Sequence, residues 1–350
     1  VGRARAIARW LLPVVVAAAL VFFVVRYWDV IAQAAGKIRA ADPAALAVAC
    51  VAAAVAIAAM AEVNRSLLAA GGVRVPLRSC ASLALAANAW SATLPGGQAF
   101  AALLSFNVMR SWGASALLCS WQIVLSATLS TMWLVALGVA AVFVLGASMS
   151  LSSLVATLAA CVAVSWLVYL LAHRPELIIP VATWVQGAIN SIRRRPRDTG
   201  VEELIGQIRQ LDAVHLSPAR FLVTSVFSLL NWVADVVVLW ACVWAVQGRP
   251  PLWEAAQDET TIMGVVLAFV TSKIAGTVQA TPGGIGPVEA ALTGTLVAAG
   301  LPATVALGAA LVFRVVTFFA LVAIGWVVYA LVYVDVGKTV RASRAAEGRG

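Results

Sequence analysis

Long apolar runs alternate with short basic or mixed-charge clusters along the whole chain. A helix rises about 1.5 Å per residue and the hydrocarbon core is about 30 Å thick, so a run near twenty residues is long enough to cross. On that basis residues 10–25, 44–61, 114–146, 151–172, 221–246 and 303–333 are expected to span a membrane as helices. Asp42-Pro43 supplies a start for the second of these, since proline suits the first helical position. Two other apolar regions, 80–109 and 262–299, are interrupted: the first at Leu94-Pro95-Gly96-Gly97, the second at Thr281-Pro282-Gly283-Gly284-Ile285-Gly286-Pro287. Most of the arms flanking these breaks are short for a comfortable crossing, which predicts two re-entrant-type hairpins. Two short full crossings would leave the parity of the chain unchanged.

A break at membrane depth needs a purpose, because backbone groups released by Pro and Gly find no water there. They must be buried in protein or line a polar cavity. Two such breaks in similar surroundings predict an internal repeat. Each half reads span, span, broken hairpin, long span, and the halves begin on opposite sides, which makes the topology inverted. Aligning Pro95 with Pro282 also sets Gly113 on Gly300 without a gap. The expected organisation is therefore all-α and polytopic: a first repeat over 1–146, a second over 147–338 containing a basic loop at 173–220, and a basic tail at 339–350.

Composition agrees with this pattern and narrows it. Hydrophobic residues make up 63% of the chain and charged residues 11%, far from soluble usage. The net charge of +9 does not indicate nucleic acid, because the basic residues cluster beside apolar runs where the positive-inside rule accounts for them. That rule places both termini in the cytoplasm and 248–260 outside, in a plasma (inner) membrane. The first apolar run follows Arg3, Arg5 and Arg9 without a convincing cleavage site and is expected to remain as a helix. Arg193, Arg194, Arg195 and Arg197 form the densest basic cluster, a topology determinant that also suits anionic lipid headgroups. Cys50, Cys80, Cys119, Cys161 and Cys242 show no metal-ligand spacing and read as apolar fillers, so neither a metal nor a cofactor is expected. HExxH, G-x-S-x-G and Walker motifs are absent, and no catalytic residue is assigned.

Candidate chemistry lies in the second half, where Asp235, Lys273, Glu289 and Arg314 all fall inside apolar segments. A charge at the bilayer centre costs about 2.5–3.5 kcal/mol on insertion scales, so these four should face a cavity or one another. Two satisfied ion pairs and a polar groove for a lipid headgroup both meet that condition. Glu289, two places after Pro287, is explained by a helix start. Arg314 suits a phosphate or a carboxylate equally: a private ion pair with Glu289 is the structural reading, but with Glu289 already met by its helix start the other obvious partner is Asp235, which gives weight to Arg314 as a phosphate ligand. Thr224, Ser228, Asn231 and Asp235 share one helical face, which predicts a wet groove. Gln122, Ser126 and Ser130 form a second polar stripe.

Asn64-Arg65-Ser66-Leu67-Leu68 before Gly71-Gly72, the LPGG at 94–97, the TPGGIGPVEA at 281–290 and Phe313-Arg314 in the last span together resemble a flippase-like membrane family. This family includes the membrane part of lysylphosphatidylglycerol synthase and its stand-alone, YbhN-like relatives. The resemblance implies lipid translocation or another membrane role in cell-envelope assembly, without the soluble aminoacyl-transfer domain, for which this chain has no room. One departure is that members often carry a Gly-Glu pair after the first LPGG, where this chain has Ala99-Phe100. The expected function is transbilayer movement of a phosphate-bearing lipid or lipid-linked glycan, with membrane lipids as partners. A non-transporting scaffold for an envelope glycosyltransferase or synthase, and a small-solute carrier, are the rivals.

Overall fold

A computed structural model describes residues 41–94, 96–144, 217–277 and 281–333, with Thr183 and Glu202 besides. The expected spans 10–25 and 151–172, Pro95, the cluster Arg193, Arg194, Arg195 and Arg197, and the tail from Lys338 lie outside the described residues. The elements of the described residues are all helices, without strands. Four of their helices are long and apolar enough to cross a membrane: Pro43–Ala70, Ala116–Val144, Pro218–Gln247 and Ala303–Tyr333.

The first, α1 (Pro43–Ala70), starts where the sequence predicts. The Asp42 carboxylate accepts the backbone N–H of Ala44 at 2.8 Å, and Pro43 occupies the first turn. It runs nine residues beyond the expected end at 61, because Glu62 and Arg65 pair along its surface at 2.6 Å and keep the last turns soluble. The helix α5 (Pro218–Gln247) begins in the same way, with the Ser217 hydroxyl accepting from the Arg220 N–H at 3.3 Å. Its contact with α1 is the most extensive between helices among the described residues. Ala45, Ala49, Ala52, Ala53, Ala56 and Ala59 are buried on α1, and such small side chains let two helix backbones approach closely in lipid.

Short helices flank each of the two breaks. In the first, α2 (Leu77–Thr93) and α3 (Gly97–Ser111) flank the break; in the second, α6 (Ile262–Thr277) and α7 (Pro287–Ala298) do. Their 17, 15, 16 and 12 residues give rods of about 18–26 Å, shorter than the hydrocarbon core. Both hairpins end alike. Gly113 N–H bonds Arg110 O at 3.1 Å and Ala114 N–H bonds Met109 O at 3.2 Å; Gly300 N–H bonds Val297 O and Leu301 N–H bonds Leu296 O, both at 3.0 Å.

Long helices follow each hairpin. After the first comes α4 (Ala116–Val144). After the second comes a rod of α8 (Ala303–Arg314), a π-helical stretch Val315–Ala320, α9 (Leu321–Val328) and a π-helical end Tyr329–Tyr333. The π stretches are not visible in the hydropathy pattern, which only requires an apolar helix. Packing then crosses between the halves: α2 lies against α9, and α6 lies against α4. A Cβ at Gly325 of α9 would collide with the Leu85 carbonyl and sit 2.8 Å from the Ala89 Cβ, so the two backbones touch there. Outward faces remain apolar, with Val124 and Val135 on α4 and Leu222, Val226 and Val233 on α5 exposed.

Overpacking a closed contact costs about 1–3 kcal/mol. Gly325→Leu is expected to lower the melting temperature in detergent, while Ile324→Leu on the neighbouring exposed face leaves it unchanged. Equal melting of the two variants would remove the α2–α9 contact as a determinant of the fold.

Candidate functional site

The two helix breaks adopt one backbone solution. Gly96 has φ 64° and ψ 27°, and Gly283 has φ 64° and ψ 13°, a left-handed conformation that glycine enters without a steric penalty. Space is tight as well: a Cβ at Gly283 would strike the Phe318 ring, and one on the next glycine of the first break, Gly97, would strike the Ser91 carbonyl. The 3-10 turn Pro282–Gly284 meets α2, which brings the breaks of both hairpins together. Between them opens a half-enclosed cavity of about 170 Å³, lined by Ser91, Leu94 and Gln98 from one side and Thr281, Gly283 and Phe318 from the other. Space for a cavity at the breaks is what the loss of regular helix at membrane depth requires.

Directly behind the second break lies an ion pair. Arg314 Nε donates to Glu289 Oε1 at 2.5 Å, and Arg314 Nη2 donates to the Gly283 carbonyl at 2.7 Å. The other Glu289 oxygen accepts the Gly286 N–H at 2.6 Å, at the first turn of α7. One carboxylate and one guanidinium thus satisfy a helix start and a carbonyl released by the break. Both side chains are largely enclosed, at 8% and 15% exposure, and the guanidinium lies 4.5 Å over the Phe318 ring. Of the two carboxylates the sequence offered as partners of Arg314, Glu289 is the one it meets, and Asp235 is not. The helix start and the ion pair use different oxygens of one carboxylate, so one role does not exclude the other.

Asp235 pairs instead with Lys273, Nζ to Oδ2, at 3.2 Å. The ammonium also sits 4.9 Å from the Phe269 ring centre and 5.3 Å from that of Trp232, within the range of cation–π attraction. The pair is more open than the first, at 33% exposure for Lys273 and 22% for Asp235. Asn231 does not join it; its amide donates to the Ala56 carbonyl at 2.9 Å, tying α5 to α1. The four charges expected together therefore form two pairs, and none of them lines the cavity among its described residues.

The polar stripes take a different form from a wet groove. Thr224 and Ser228 are buried, as is Ser225, whose hydroxyl accepts the Trp133 indole N–H at 3.2 Å. Gln122 donates to Asn64 at 2.7 Å, and the Ser130 carbonyl accepts from the Trp232 indole at 2.7 Å. The Ser225, Gln122 and Ser130 bonds join helices to one another, whereas the Thr224 hydroxyl donates to the Arg220 carbonyl of its own helix. Sequence reasoning passed over Ser91, Gln98, Thr281 and Phe318, because a lone hydroxyl, amide or phenyl in an apolar region carries no charge to mark it. Their proximity to the breaks, within about five residues except for Phe318, was the available signal.

Helices long enough to span, outward apolar faces and paired breaks define a polytopic helical membrane protein. Residues 10–325 match the family described as the lysylphosphatidylglycerol synthase TM region, and the chain belongs to that family. The match is to a transmembrane region and not to a catalytic domain. A UPF0104 membrane protein from Methanothermobacter thermautotrophicus is 25% identical over 169 residues, which make up 47% of this chain and 48% of that protein. The alignment spans about half the length of that curated relative.

Breaking a buried ion pair costs about 3–5 kcal/mol, because one charge is left uncompensated. Arg314→Gln or Glu289→Gln alone is expected to lower the detergent melting temperature sharply, and the double variant to recover much of the loss. Independent, additive effects in that cycle would show that the pair does not hold the break.

Proposed function

We propose that this protein moves an amphiphilic lipid, phosphate-bearing or carrying a glycan, between membrane leaflets in cell-envelope assembly. The observation that carries this reading is the half-open cavity where the two helix breaks meet. A lipid headgroup needs such a place, since it must leave water on one side and regain it on the other. Irregular backbone in the membrane is tolerated where it lines a cavity, and secondary transporters build their sites from discontinuous helices at a repeat interface.

The inverted repeat belongs to the same proposal. Its support is a constant offset between the halves: the break glycines Gly96 and Gly283, the hairpin ends Gly113 and Gly300, and the following helix starts Ala116 and Ala303 are all separated by the same interval. The crossed packing of α2 on α9 and α6 on α4 is what a two-fold axis in the membrane plane would produce. Arms shorter than the hydrocarbon core favour hairpins that enter and leave on one face. The Lys/Arg bias supports cytoplasmic termini in a plasma membrane, and the basic cluster of Arg193, Arg194, Arg195 and Arg197 would then meet anionic headgroups or an envelope-synthesis enzyme on that side.

Reconstitution into liposomes with leaflet-labelled lipids tests the activity. Exchange above protein-free vesicles is expected, and Gly96→Leu and Gly283→Leu should each abolish most of it per folded molecule. Absence of exchange would favour a scaffold, and uptake of a small solute instead would favour a carrier.

The orientation is tested separately. With the five native cysteines replaced, an Asp258→Cys protein is expected to react with an impermeant thiol reagent from outside intact cells. Reaction only after the inner face is opened would overturn the inverted arrangement.

A further inference from the structure

The lining of the break cavity and the charges behind it point to different chemistries. Its described walls carry no ionised side chain; they offer the Ser91 hydroxyl, the Gln98 amide, the Thr281 hydroxyl and one face of the buried Phe318 ring. Behind the lining, Arg314 is committed to Glu289 and to the Gly283 carbonyl, so the guanidinium and carboxylate compensate one another. Arg314 also covers one side of Phe318, at 4.5 Å.

We propose that this cavity binds an uncharged, hydroxyl-rich group, a sugar ring of a glycolipid or lipid-linked glycan, and not a phosphate. Each polar wall group suits a hydroxyl. Hydroxyl and amide side chains both donate and accept, and a sugar hydroxyl does the same. Thr281 already gives its hydroxyl proton to the Ile285 carbonyl at 2.7 Å, so toward the cavity its oxygen acts as an acceptor. A phosphate accepts only, and would face that oxygen and the Gln98 carbonyl as repulsive neighbours. The Phe318 ring supplies an apolar surface for the C–H face of a sugar. The start of α3 at Gly97 adds N–H donors, but the half charge of a helix end does not balance a full phosphate charge taken out of water. The size fits one ring and its hydroxyls rather than a whole lipid, since about 170 Å³ has room for only several waters. Any phosphate of the same lipid would stay outside the cavity, toward the interface.

This inference rests on the transport reading for its role in turnover, while binding can be measured without transport. The purified chain, in a zwitterionic detergent free of sugar headgroups, is titrated with a short-chain monoglucosyl diacylglycerol and with phosphatidylglycerol of the same acyl chains, following the melting temperature. The glucosyl lipid is expected to bind tighter by roughly tenfold, the worth of one or two hydrogen bonds. Gln98→Leu and Ser91→Ala should each reduce that preference while leaving the ligand-free melting temperature in place. Equal or tighter binding of phosphatidylglycerol, no response to the glucosyl lipid, or an unchanged preference in both variants overturns the proposal. Leaflet exchange of labelled versions of the same lipids separates the two readings. Exchange of phosphatidylglycerol alone sustains transport and overturns the sugar site. Exchange of neither overturns transport, and the binding preference then decides the site by itself.

Discussion

A peptide carbonyl with no helix to bond to, held away from water, is the constraint on which this molecule turns. Releasing Gly283 from regular helix creates such a group, and Arg314 answers it from the opposite helix at 2.7 Å. A neutral donor could do the same at lower desolvation cost. A guanidinium brings a charge that must itself be balanced, and Glu289 balances it while closing the first turn of α7 through the Gly286 N–H. The result is a closed circuit of break, carboxylate and guanidinium that fixes α8 against the second hairpin. Phe318 lies within the π-helical stretch that begins at the very next residue, and is held between the Arg314 guanidinium and Gly283. Widened turns of this kind commonly occur at functional sites, where they re-aim a side chain.

The first break reaches the same backbone geometry without charge. The ungapped counterparts of Glu289 and Arg314 are Ala102 and Ala127, so no ion pair can form in those places. Its groups are satisfied locally instead. Leu94 N–H bonds the Trp90 carbonyl at 3.2 Å, Ala99 N–H bonds the Gly96 carbonyl at 3.0 Å, and Gly97 packs directly on the Ser91 carbonyl. Two hairpins with one conformation therefore present different chemistries: a braced wall on one side of the cavity and a polar but uncharged wall on the other.

Much of this was legible along the chain, for identifiable reasons. Proline and glycine act through local backbone geometry, so the breaks and the starts of α1 and α7 fell where the residues say they should. Helix lengths follow from apolar runs, and the four long described helices lie within a few residues of such runs, except that α1 continues through its Glu62–Arg65 pair. Partnerships across helices were not legible. Arg314 and Glu289 lie 25 residues apart and Lys273 and Asp235 lie 38 apart, and nothing in either spacing says which acid meets which base. The polar stripes were recognised, but not that Asn231 and Gln122 reach across to other helices, to the Ala56 carbonyl and to Asn64. The described cavity walls carry no ionisable group, and a search guided by charge passes over them.

That last point bears on how sites in such proteins are to be sought. An intramembrane charge is expensive, so when it persists it is natural to assign it to the substrate. Here the more enclosed pair is compensated within the protein, and its placement is accounted for by the backbone it satisfies. A pair so occupied gives a substrate little net attraction, because any new partner must displace an old one at short range. The more open Lys273–Asp235 pair is also closed on itself and is backed by two aromatic rings. Binding selectivity is better carried by groups with donors or acceptors to spare, and the described walls of the break cavity offer the Ser91 hydroxyl and the Gln98 amide. In this architecture the Arg314–Glu289 pair compensates the irregular backbone of the second break, and the described neutral walls face the cavity.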